Sequence, residues 1–145
     1  MKTARELFAG QELTVIAKEQ TVYDAARLMA ERKIGAVPVL ERERVVGIFS
    51  ERDIMNRVVA RNLDPEKTTV EQVMTKDLIV GTPEEDIAQI LIRMKQANIR
   101  HLPIVEDDKL VGIISFRDLL QADISEKDME IKIMTAYIHY IPPSF

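Results

Sequence analysis

The sequence predicts a mixed α/β (α+β) fold of two β-α-β-β-α repeats packed with pseudo-two-fold symmetry. Three observations carry that expectation. The chain repeats itself: residues 13–55 align with 78–120 at a constant offset of 65 without a gap, and 13 of the 43 aligned positions are identical. Within each copy, a helical apolar period alternates with short β-branched runs. Finally, each copy has roughly 50 residues and one small sheet, too little to bury both faces alone. Two copies on a short linker would pack sheet to sheet, leaving two equivalent clefts between them.

Each element has a local reason. In repeat 1, Leu13-Thr14-Val15-Ile16 reads as a short strand. Thr21 is placed to cap a helix whose apolar face is Val22, Ala25, Ala26 and Met29, spaced i, i+3, i+4, i+7. Gly35 is expected to end it. Ala36–Leu40 and Arg44–Phe49 are strands around the charged turn Glu41-Arg42-Glu43, and Pro38 inside the first calls for an edge or a bulge. Ser50 opens a second helix with Ile54, Met55, Val58 and Val59 on one side. Repeat 2 follows suit: Leu78–Val80, a helix from Glu84 carrying Ile87, Ile90, Leu91 and Met94, strands His101–Val105 and Leu110–Ile114, and a helix from Ser115. The domain organisation is therefore 1–62 (repeat 1 with a short N-terminal segment), 63–72 (linker), 73–124 (repeat 2) and 125–145 (a helical tail).

Composition excludes several function classes. Cysteine is absent, which removes disulfides, thiol nucleophiles and Cys-ligated metal centres. The two histidines, His101 and His139, cannot build a three-histidine metal site. The net charge of −4, from 20 basic and 24 acidic residues well mixed along the chain, offers no basic stripe for nucleic acid and no polybasic patch for a membrane. Apolar runs fall far short of the roughly 20 residues that span a bilayer, and the N-terminus lacks a hydrophobic signal region. The five glycines stand too far apart for a G-x-G-x-x-G turn or a P-loop. A cytoplasmic setting, no metal and no catalytic residue are expected.

The polar residues that recur are Ser50/Ser115, Arg52/Arg117 and Asp53/Asp118, in the frame Gly-Ile-x-Ser-x-Arg-Asp. One reading is a capping box, with serine at the N-cap and aspartate three residues on. The other is a ligand site. A helix N-terminus offers free N–H groups to an anion, a hydroxyl can donate to phosphate or ribose, a carboxylate can accept from both hydroxyls of a cis-diol, and arginine can balance a phosphate. Capping does not require the arginine, and the two readings can coexist. Met29 and Met94 read as packing residues, and the turns Glu41–Arg44 and Glu106–Lys109 as solvated hairpin tips. His139 reads as a surface or interface residue.

These residues carry a family resemblance. From about residue 8 to about 123 the chain resembles a tandem pair of CBS domains, a Bateman module: h-G-I-x-S-x-R-D occurs twice (h, apolar), each preceded by h-P-h-h-E, in the order β-α-β-β-α. The tail Met134-Thr135-Ala136-Tyr137-Ile138 looks like the end of small stand-alone CBS-pair proteins. The resemblance implies that Asp53 and Asp118 hold ribose hydroxyls and that Ser50 and Ser115 face ribose or phosphate. It implies an apolar adenine slot lined by Ala17, Val22, Ile34 and Ala36 in repeat 1 and by Thr82, Ile87, Ile99 and His101 in repeat 2. Arg100-His101-Leu102-Pro103 looks like members that steer phosphate with these bases. Repeat 1 departs from that pattern with Gly35-Ala36-Val37-Pro38, so the two clefts need not bind equally. Without the resemblance, His101 would read as a partly buried structural histidine.

The implied function is a non-catalytic regulatory module. It would bind an adenine-containing ligand (AMP, ATP, NAD or an S-adenosyl compound) in clefts between the repeats and signal energy or redox state to a partner protein in trans. A homodimer through the repeat helices is expected, because these helices carry apolar residues on more than one side. The competing readings are a small nucleotide-handling enzyme using Asp53 or Asp118 as a base, which no nucleophile or metal set supports, and a weak nucleic-acid binder, which the mixed charge and lack of tryptophan oppose.

Overall fold

The computed structural model describes residues 3–122 and 127–139. In chain order the elements are α1 (Ala4–Phe8), β1 (Ile16–Ala17), α2 (Val22–Arg32), β2 (Ala36–Glu41), β3 (Arg44–Ser50), α3 (Glu51–Asp53, continued by a π-helical segment Ile54–Val59), α4 (Val70–Val73), α5 (Ile87–Ala97), β4 (His101–Glu106), β5 (Lys109–Ser115), α6 (Phe116–Ala122) and α7 (Lys127–His139). They form two compact units. The repeat-1 unit comprises Glu12–Ile79 and the hairpin tip Asp107–Leu110; the repeat-2 unit comprises the segment up to Gln11, Val80–Glu106 and the chain from Val111 onward.

The repeat-1 unit carries a sheet in the order β1-β2-β3, with β1 parallel and β3 antiparallel to β2. The expected strand at Leu13–Ile16 is only two residues, displaced to Ile16 and Ala17, which pair with Val39 and Leu40. Pairing sets this limit: past Ala17 the chain turns, and the Ala17 N–H is taken by Gln20 Oε1 at 2.9 Å. Leu78–Val80 in repeat 2 likewise forms no strand; a single parallel bridge joins Gly81 to Ile104. Pro38 lies just ahead of the stretch of β2 paired with β1, and a register shift falls between Val39 and Leu40. This suits a residue with no N–H to give.

Caps fix the helices. Thr21 caps α2 in a reciprocal box with Asp24: the Asp24 N–H donates to Thr21 Oγ1 at 3.1 Å, and the Thr21 N–H to Asp24 Oδ2 at 3.3 Å. Helix α5 starts at Ile87, later than the expected Glu84, because Asp86 accepts the Ala88 N–H and is the cap. Gly35 does not end α2. Lys33 does, at φ 56°, as Asn98 ends α5 at φ 56°. Gly35 comes two residues later, where a Cβ would lie 3.3 Å from the flexible Glu51 Oε1.

Each unit has its own core. Ile16, Val22, Val37, Val39, Phe49, Val58 and Val70 anchor the repeat-1 core, with Met29 also buried there. Ile87, Ile90, Met94, Leu102, Ile104, Ile114 and Leu119 anchor the repeat-2 core. The two short helices complete these cores. Residues 63–72, expected as linker, include most of α4, whose Val70 and Val73 are buried in the repeat-1 core with Met74. Helix α1 does the same in the repeat-2 core with buried Ala4, and partly buried Phe8 packs against that core. The repeated glycine of β3 and β5 makes room for them. A Cβ on Gly47 would lie 2.3 Å from Met74 Sδ, and one on Gly112 would lie 2.7 Å from the Phe8 ring. Among the described residues no helix is long and apolar enough to cross a membrane.

Candidate functional site

Both repeats build the same turn where a strand runs into a helix. At the end of β3, Ser50 stays extended and Asp53 folds back over it. Asp53 Oδ2 accepts from the Ser50 N–H at 2.9 Å and from Ser50 Oγ at 3.2 Å, while the Asp53 N–H donates to Ser50 Oγ at 3.3 Å. At the end of β5 the Ser115 N–H donates to Asp118 Oδ2 at 3.1 Å and the Asp118 N–H to Ser115 Oγ at 2.9 Å. The capping reading of both Ser/Asp pairs is therefore correct. It leaves Oδ1 of each aspartate at the positive end of a helix dipole, while the Ser50 hydroxyl is spent on Asp53 Oδ2.

The start of the neighbouring strand is tied to this turn. The Glu51 N–H donates to the Gly35 carbonyl at 3.0 Å, and the Phe116 N–H to the Arg100 carbonyl at 2.7 Å. In register, Ala36 stands opposite Ser50. Hence Gly35-Ala36 in repeat 1 and Arg100-His101 in repeat 2 occupy equivalent places beside the serine–aspartate turn. Arg52, Arg117 and Arg100 are exposed. No carboxylate of the described residues pairs with any of them, so the three guanidinium groups remain available for an anion. His101 is half-buried at the head of β4.

The residues expected to line an adenine slot divide into two groups. Val22 and Ile87 are fully buried in the cores of their own units, and Ala36 is nearly so. Ile34 and Ile99 are half-buried, and Ala17 and Thr82 are exposed. The backbone N–H groups at 17 and 82 are both satisfied by a side chain three residues on: Gln20 Oε1 for Ala17 at 2.9 Å, Glu85 Oε2 for Thr82 at 3.1 Å. Arg93 grips Glu85 with two bonds of 3.0 Å. Sequence reading missed Gln20 and Glu85, although they occupy equivalent places in the two repeats.

Sequence reading also missed Arg57. It lies one turn beyond Asp53, with Nε 3.7 Å from Asp53 Oδ1, and donates to the carbonyls of Val73 and Met74 at 3.0 and 2.9 Å. Repeat 2 has Ala122 in that position. The π-helical segment after Asp53 likewise has no counterpart in α6. Among the described residues no cluster of three or more His, Asp or Glu could hold a metal ion. The side chain of His139 lies outside the described residues.

Comparison with known proteins matches both repeats. The CBS domain family model matches residues 4–60 and again 70–125. A CBS domain-containing protein of Bacillus subtilis is 35% identical over 127 residues, covering 88% of this chain and 89% of that one. A mitochondrial CBS domain-containing protein of Arabidopsis thaliana is 31% identical over 125 residues; the match covers 83% of this chain but 61% of that protein. Among solved structures, a protein with CBS domains from Burkholderia ambifaria has a TM-score of 0.79 at 34% identity, covering 87% of this chain and 96% of the other. A CBS domain protein from Pyrobaculum aerophilum, complexed with AMP, has a TM-score of 0.77 at 25% identity, covering 92% and 99%. With two matched domains, and a stand-alone relative matched over nearly its whole length, this chain belongs to the CBS-domain family as a tandem pair of CBS domains.

Proposed function

We propose that this chain is a non-catalytic sensor of adenine nucleotides that binds its ligand at the serine–aspartate turns and relays occupancy to a partner protein. The observation that carries the reading is the turn itself, built twice from Ser50, Arg52 and Asp53 and from Ser115, Arg117 and Asp118. A cap needs the serine and the aspartate; it does not need an exposed arginine that makes no ion pair with a described carboxylate. The arginine and the positive end of the helix dipole suit a phosphate, and the carboxylate suits a ribose diol. AMP is the first ligand to test, because the Pyrobaculum aerophilum neighbour was solved with it. ATP, NAD and S-adenosyl compounds share the adenosine moiety. Ile34, Ala36 and Ala17 in repeat 1, with Ile99, His101 and Thr82 in repeat 2, are the residues offered to the base. Assembly as a homodimer and a cytoplasmic setting belong to the same reading; exposed Met55 and Val59 on the segment after Asp53 support the former.

Calorimetry of the purified chain tests the function. AMP should bind, and its base-swapped analogues GMP and CMP should bind more weakly, since the slot residues are mostly apolar and offer few groups to read a base edge. A ligand that binds only the folded state also raises the melting temperature, by RT ln(1 + [L]/Kd) in free energy. Equal binding of all nucleotides would reduce the turn to a phosphate site. No binding of any adenosine compound would overturn the proposal.

A further inference from the structure

We infer that Arg57 is a positioning residue for the ligand-binding carboxylate of repeat 1. The inference rests on the nucleotide reading above and extends it to a residue outside the Ser-x-Arg-Asp frame. Asp53 is the only charged residue among the buried ones described. Its Oδ2 is taken up by Ser50, so Oδ1 is the oxygen left for a ribose hydroxyl. Oδ1 faces Arg57 Nε at 3.7 Å, within ion-pair range but beyond a direct hydrogen bond. The guanidinium therefore orients the carboxylate without occupying its lone pairs. Arg57 is itself held, because one terminal nitrogen donates to both the Val73 and Met74 carbonyls where α4 ends.

The π-helical segment starts directly after Asp53, at Ile54, and carries Arg57. A side chain already fixed in its binding rotamer does not lose that freedom when ligand arrives. Repeat 2 lacks the device: Ala122 stands in place of Arg57, and no described cation pairs with Asp118. The two sites thus differ in preorganisation as well as in the Arg100-His101 side chains.

AMP calorimetry well below the melting temperature tests this, in an Asp118→Asn background that isolates repeat 1. Arg57→Ala is expected to weaken AMP binding roughly three- to tenfold, because Asp53 is then held by Ser50 alone. Arg57→Lys, which keeps a cation near Oδ1, is expected to recover part of that loss. Arg57→Ala should also lower the melting temperature through the lost bonds to Val73 and Met74. A purely structural Arg57 would show that melting change with AMP affinity within twofold of the background, which would overturn the inference and leave the nucleotide reading intact. An Asp118→Asn background that binds no AMP, with wild type equally silent, would overturn both.

Discussion

At the scale of single residues, one carboxylate in each repeat caps a helix and, in the proposed function, also binds the ligand. Asp53 and Asp118 close a helix N-terminus with one oxygen, and the cap leaves the other oxygen, Oδ1, unused. Replacing either by asparagine keeps the shape and removes the charge. Each variant is expected to lose about 0.5–2 kcal/mol of stability as a weakened cap. Each should also weaken AMP at its own site by roughly 10- to 150-fold, the value of a hydrogen bond to a charged group. Paired melting and calorimetry measurements separate the two. Lost stability with unchanged affinity would mean that the aspartates only cap. The recurring motif made these residues legible, because serine, arginine and aspartate return at one offset. Arg57, by contrast, was illegible, since its partner Ala122 breaks the repeat and its anchors at Val73 and Met74 lie outside the aligned segment.

At the scale of elements, the short helices α1 and α4 matter more than their length suggests. Each complements a repeated glycine, Phe8 over Gly112 and Met74 over Gly47. An alanine at either glycine must displace the packed side chain, and overpacking typically costs about 1–3 kcal/mol. Gly112→Ala should lie at the upper end, because a Phe ring cannot fold away as a Met side chain can; equal melting temperatures for the two variants would contradict that ranking. The repeat-1 unit also carries an ion-pair bridge at the turn after β1: Lys18 Nζ meets Glu41 at 3.2 Å and Glu71 at 3.3 Å. Hydrogen bonds donated to Glu41 first and Glu71 second raise the lysine pKa above its ordinary 10.5. A raised base stabilises the fold fully below its unfolded value, and that contribution is lost as pH climbs through the folded value. Lys18→Met should therefore lower the melting temperature at pH 7 in dilute salt, with a smaller difference from the parent as pH climbs through the raised lysine value or in molar salt. A difference that stays constant across pH and salt would assign the effect to lost packing.

At the scale of the whole molecule, several helix faces remain without cover. Met55 and Val59 after Asp53 are 58% and 69% exposed, Tyr23 on α2 is 44% exposed, and Leu120 on α6 is 36% exposed. Such apolar exposure beside otherwise filled cores suits association with a second copy. Sedimentation at micromolar concentration is expected to show a species of twice the chain mass, and Met55→Glu with Val59→Glu is expected to shift it toward the monomer. A parent that sediments only as a monomer would refute the assembly.

By itself the sequence determined the repeat, the order of its elements, the helix faces that enter the cores and the double serine–aspartate turn. Those features are local: apolar period, cap chemistry and turn residues lie within a few positions of one another, so a linear reading captures them. Tertiary structure decided the rest. The first strand of each repeat shrank to what its partner could pair, two residues at Ile16–Ala17 and one bridge at Gly81. Thr3 and Thr69, which precede α1 and α4, stand 66 apart, against 65 elsewhere, so this part of the repeat falls out of the gapless alignment. Each of those helices joins a core far along the chain: Ala4 packs with Ile87–Leu119, and Val70 with Ile16–Val58. No local propensity encodes that choice. It follows from burial of apolar area, which depends on which surfaces the folded chain brings together.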